Sequence, residues 1–129
     1  MIDTGASITT YHMNEYTLSP NLAAQPFLPV TLRTDTRKDW SKLACPVLVL
    51  SGSLDHQVPP EENVAGIVDA LTSGGNAHVQ SGVLPSLNHG FQTAQTGKED
   101  EYATIGETMA PAAMQKVADF ARTQGASAR

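Results

Sequence analysis

The stretch Cys45-Pro-Val-Leu-Val-Leu-Ser-Gly-Ser-Leu-Asp55 limits what this chain can fold into more than any other. Val47 to Leu50 is an unbroken apolar run, closed in by Pro46 and Gly52 and too short for an ordinary helix. Such a run predicts a strand buried on both faces, as in a parallel sheet covered by helices. Gly52 allows a tight turn as the strand ends. Asp55 then falls just past the strand's carboxyl end, where open α/β sheets collect their ligands and reactive groups.

The following segment completes the unit. Pro59-Pro60-Glu61-Glu62 predicts a helix start, since proline suits the first turn and carboxylates favour the positive end of the helix dipole. Val64, Ile67, Val68 and Leu71 recur at i, i+3, i+4 and i+7, and Gly74-Gly75 marks the stop. His78 to Leu84 reads as a second strand, less apolar and therefore nearer the sheet's outside. Strand, helix, strand implies parallel pairing with a right-handed crossover. The fold class is thus α/β, and the segments after the two strands, carrying Asp55 and His89, share one sheet edge.

The remainder is less patterned. Residues 1–38 are polar and interrupted by Pro20, Pro26 and Pro29, and read as an irregular or partly helical segment. Asp39 is placed to cap a short helical turn from Trp40 to Leu43, and Trp40 to plug a core or interface. Residues 85–109 form a long polar loop in which Glu99-Asp100-Glu101 reads as a solvated run. Pro111 opens a last helix whose stripe is Met114, Val117, Ala118 and Ala121, widened by Phe120 and stopped at Gly125. The expected layout is residues 1–38, a folded unit over 39–125, and a frayed tail at 126–129.

Bulk properties narrow the function classes. A chain of 129 residues with net charge −5 argues against a nucleic-acid or anionic-membrane surface. No run is long enough to span a bilayer, no signal peptide is visible, and no compartment is assigned. Cys45, the single cysteine, rules out an intrachain disulfide and reads as a small buried apolar residue. His12 and His78 lack ligand-like spacing, so no metal is implied. No glycine-rich phosphate loop is present and no cofactor is implied.

Asp55 and His89 are the candidate catalytic residues. A histidine held by a carboxylate is the base half of a nucleophilic triad, because the carboxylate fixes the tautomer and stabilises the imidazolium. The order Asp then His, each after its own parallel strand, is that of α/β-hydrolases. By chemistry alone a purely structural role for each residue remains the competing reading. His56 reads as an exposed loop histidine that could line the same cleft. Asn88 reads as a turn cap, with orientation of the histidine loop as the alternative.

The residues from Cys45 to Asn63 resemble the acid-bearing segment of α/β-hydrolase enzymes, above all the dienelactone-hydrolase-like and prolyl-oligopeptidase-like branch. Val83-Leu-Pro-Ser-Leu-Asn-His89-Gly-Phe-Gln92 is similar to that family's catalytic-histidine segment, and Glu101-Tyr102 and Glu107 to Pro111 to its tails. The resemblance covers about residues 39–123, and residues 1–38 match loosely. It implies a serine hydrolase of ester, thioester or amide bonds, with Asp55 and His89 as triad acid and base. The family's nucleophile sits on Gly-x-Ser-x-Gly, and no such motif occurs here. Ser51 and Ser53 lie on the acid's own strand end, and Ser7 lacks the second glycine. The chain therefore reads as the C-terminal part of such an enzyme, inactive alone, with the nucleophile and oxyanion hole supplied by sequence outside it. The expected partners are a small ester or amide substrate in the complete enzyme and either the missing N-terminal half or a second copy. A non-enzymatic binding or dimerisation module is the alternative. A nucleophile recruited from Ser51, Ser53 or a partner is a third. Asp3-Thr-Gly-Ala-Ser7 matches an aspartic-protease loop, but it is not followed by the all-β pattern such a loop requires.

Overall fold

The computed structural model describes residues 34–127. The readings made on residues 1–33, including Asp3, Ser7 and His12, lie outside the described residues. The chain divides between Thr36 and Arg37, and the unit from Arg37 onward carries all the elements below.

Strand β1 spans Val47–Gly52, helix α2 Pro60–Ser73 and strand β2 Val79–Leu84. They are preceded by the short helix α1, Arg37–Trp40, and followed by a 3-10 turn, Glu99–Glu101, and helix α3, Pro111–Ser127. The strands pair in parallel from Val47↔Val79 to Gly52↔Leu84. Side-chain alternation along β1 separates Val49 and Ser51 from Leu48 and Leu50. Leu50 packs against the buried cluster of Leu84, Leu87, Ala110 and Ala113. Val49 is buried too, and α2 packs against both strands.

Helix α2 follows its sequence closely. Pro60 takes the first helical position, Glu61 and Glu62 occupy the first turn, and Leu71 is fully buried. Gly74 bonds back to Ala70, and Gly75 takes the left-handed conformation at φ 88°. Asn76, just after it, is buried, and no local pattern in the sequence signals its role. Its Nδ2 donates to the Leu43 and Cys45 carbonyls and its Oδ1 accepts the His78 N–H. One side chain thus sets the entry of both strands.

Four expectations are corrected. The first helix is Arg37–Trp40, not Trp40 to Leu43, and Asp39 does not cap it, because its carboxylate binds Lys42 Nζ at 3.0 Å. Cys45 is exposed, because it lies in the link before β1 and only its carbonyl is held, by Asn76. Helix α3 runs through Gly125 to Ser127, since glycine weakens a helix without ending it unless the chain turns left-handed there.

The fourth correction concerns the face of α3. Met114 and Val117 are each 50% exposed, while Ala113 is buried and Phe120 half-buried. Ala113 docks with Ala110 on the Leu84–Leu87 cluster. Each helical residue advances about 100°, so choosing Ala113 turns Met114 and Val117 aside. A groove of about 410 Å³ remains between α3 and the sheet, bounded by Leu48, Leu50 and Gly82 on one side and Lys116 and Phe120 on the other.

Candidate active site

Past β1 and β2 the two chain segments stay joined. The Ser53 N–H donates to the Leu84 carbonyl, Leu54 N–H to Leu87, and Ser86 N–H to Ser53 Oγ. A Cβ at Gly52 would lie 2.2 Å from the Leu87 oxygen and 2.6 Å from that of Asn88, so only glycine lets these backbones touch. This crossing brings Asp55 beside the loop that carries His89.

Asp55 is buried and every contact of its carboxylate is defined. Oδ1 accepts the N–H groups of Gln57 and Val58, both at 2.9 Å. Oδ2 lies 2.9 Å from His89 Nδ1. A buried carboxylate needs such donors to offset the loss of water. The Asp55 side chain is 7% exposed and that of His89 44%, so the ring projects from a buried anchor. An ionised carboxylate can only accept, so opposite one Nδ1 is the donor, and in a neutral ring Nε2 is left as an acceptor.

The histidine loop is closed beneath its tip. Leu87 bridges to Thr93, Asn88 N–H donates to the Gln92 carbonyl, and Ala94 N–H to Ser86. Ser86 and Phe91 take left-handed conformations at φ 59° and 56°, each costing on the order of 1 kcal/mol for a residue with a Cβ. Leu87 is buried, Phe91 packs against the same cluster, and the Phe91 carbonyl accepts the Ala110 N–H.

A second loop borders the pair. The Glu101 carboxylate accepts the N–H groups of Gln95, Thr96 and Gly97, and Glu107 Oε1 accepts that of Thr93. His56 Nε2 meets the Thr96 carbonyl at 2.8 Å, so His56 ties this loop to the Asp55 turn. Gly97, at φ 75°, lies against Leu54, whose oxygen would be 2.0 Å from an added Cβ. The acidic run is therefore solvated at Glu99 and Asp100 but structural at Glu101.

Both of these glutamates titrate below their ordinary value. For Glu101, desolvation pushes upward but is outweighed by hydrogen bonds from Gly97, Thr96 and Gln95; for Glu107, the Thr93 bonds dominate. A lowered folded-state pKa contributes stability above the ordinary carboxylate range, about 4.3, that is lost as pH falls through the folded values. Hydrogen-exchange protection at Thr93, Thr96 and Gly97 is therefore expected to drop below about pH 4, while α2 amides keep theirs. Unchanged protection in the loop would contradict this role for the two acids.

The prolyl oligopeptidase family model matches residues 4–108, a span that holds both Asp55 and His89. The chain belongs to the prolyl oligopeptidase family. Its βαβα unit is accordingly part of an α/β-hydrolase parallel sheet, and its relatives at family level are serine hydrolases. The prolyl oligopeptidase match runs through the N-terminal segment, whose resemblance to the family is loose, and ends before α3. No curated protein and no solved structure matches the chain.

Within this prolyl oligopeptidase-family chain the two serines at the end of β1 make no hydrogen bond to His89 among the described residues. Ser51 is buried in the sheet and Ser53 Oγ accepts the Ser86 N–H. Among the described residues, the only side-chain hydrogen bond of His89 is to Asp55. No group of metal-ligating side chains occurs among the described residues, and none of the described helices is long and apolar enough to cross a membrane.

Proposed function

We propose that Asp55 and His89 are the acid and base of a serine hydrolase acting on ester, thioester or amide bonds, with the nucleophile carried outside these 129 residues. The observation that carries this reading is the 2.9 Å contact between His89 Nδ1 and the Oδ2 of a buried carboxylate whose other oxygen is fully tied. His89 takes the serine proton through Nε2, then returns it to the leaving group. Asp55 holds the ring and stabilises the imidazolium formed between those steps. The oxyanion hole, like the serine, belongs to the rest of the enzyme, and this chain alone does not turn over substrate. The test is ester hydrolysis by a serine-bearing form of the protein, in which replacing either Asp55 or His89 removes turnover; near-normal activity sinks the assignment.

The second reading is a catalytically inactive module that binds a partner or a second copy. It is favoured by the half-exposed Met114 and Val117 on α3 and by a sheet that has only two strands among the described residues. A monomer by sedimentation with a cooperative melt contradicts the self-association form of this reading.

A further inference from the structure

We infer that Asn88 is a positioning residue for His89, fixing the backbone on both sides of the histidine so that its ring meets Asp55. The inference rests on the reading of His89 as the catalytic base. Asn88 has no exposed surface, unlike the histidine that follows it. Its Oδ1 accepts the N–H of Gly90 and the N–H of Gln92, each at 2.9 Å. The first of these bonds spans His89, from the residue before it to the residue after it. The second closes the turn, together with the Asn88 N–H to the Gln92 carbonyl and the Phe91 N–H to the Asn88 carbonyl.

The orientation of the amide follows from the network. The Glu107 carbonyl can only accept, so the Gln92 group facing it at 2.9 Å is Nε2. Gln92 therefore turns Oε1 toward Asn88, and Asn88 answers with Nδ2 at 3.1 Å. That leaves Oδ1 facing the two backbone N–H groups. An asparagine in this site has its acceptor set by a carbonyl nineteen residues along the chain. Among the described residues the His89 ring has one side-chain hydrogen bond, to Asp55, so its placement depends on the backbone that Asn88 holds.

The Asn88 side chain hydrogen-bonds to Gly90 and Gln92 and not to the His89 ring among the described residues, so its effect must be read at the histidine. The experiment is ¹⁵N and proton NMR of imidazole groups in the 129-residue chain. In the wild type a slowly exchanging His89 Nδ1–H resonance is expected, and it disappears in Asp55→Asn. In Asn88→Ala the resonance is lost and the His89 tautomer shifts toward Nε2–H, while His56 and His78 are unchanged.

Retention of the His89 resonance in a folded Asn88→Ala chain overturns the inference and leaves the Asp55–His89 reading intact. Absence of the resonance from the wild type defeats the Asp55–His89 reading itself, and the inference with it. Should Asn88→Ala fail to fold, the wild-type amides decide: Gly90 and Gln92 are expected to be protected from exchange, and free exchange at either overturns the inference.

Discussion

Replacing Asp55 by Asn in a serine-bearing form of the protein is expected to lower kcat by roughly 10⁴-fold, the scale seen when a triad carboxylate becomes an amide. The geometry gives the reason. Oδ1 is held by the Gln57 and Val58 N–H groups, so the asparagine oxygen stays there and its NH₂ turns toward His89. A donor facing Nδ1 drives the imidazole proton to Nε2, and the base is lost at the position where it is needed. The two amide bonds survive, so the fold should too. Steady-state kinetics on an ester together with a melting curve separates the effects: a large fall in kcat is expected with little change in Tm. A kcat within tenfold of wild type would contradict the pairing.

The second large effect is expected from Gly52→Ala. The new methyl would lie 2.2 Å from the Leu87 oxygen and 2.6 Å from that of Asn88, both backbone atoms that no rotamer change can move. Either β1 or the histidine loop must shift. Overpacking of this kind costs about 1–3 kcal/mol, which in a domain of this size lowers Tm by roughly 4 °C or more for each kcal/mol. The shift also separates Leu54 N–H from Leu87, one of the bonds that hold Asp55 beside His89. Gly66→Ala in α2 is the control. Nothing lies within 4 Å of its Cβ position, and in a helix interior alanine is favoured by roughly 0.5–1 kcal/mol. Equal melting temperatures for Gly52→Ala and wild type would mean that the two loops do not cross as described.

The parts of this fold written in short-range pattern were legible in the sequence. The apolar run of β1, the stripe of α2 and the glycine stop after it need no knowledge of distant residues, and together they fix a parallel pair. That pairing is why segments thirty-four residues apart could be placed on one edge, and the structure brings Asp55 and His89 into contact there. What was not legible depends on contacts between distant segments. Helix α3 carries an apolar stripe at Met114 and Val117, but docking through Ala110 and Ala113 selected another face. Cys45 looked like a core residue because its neighbours are apolar, yet it sits before the sheet begins. Glu101 sits in an acidic run that reads as solvent-facing, and nothing local signals the three N–H groups it accepts. Asn88 could be read as a turn cap, but not as a side chain oriented by Glu107.

Labelling the purified 129-residue chain with a fluorophosphonate, which captures activated serines, tests most directly whether this chain holds the acid and base but not the nucleophile. No labelling is expected, because Ser51 is buried and Ser53 is bonded to the Ser86 N–H rather than to His89. Labelling that disappears in His89→Ala would contradict that division. It would mean that a working nucleophile lies within these residues, with Ser51, Ser53 and Ser7 the first to replace.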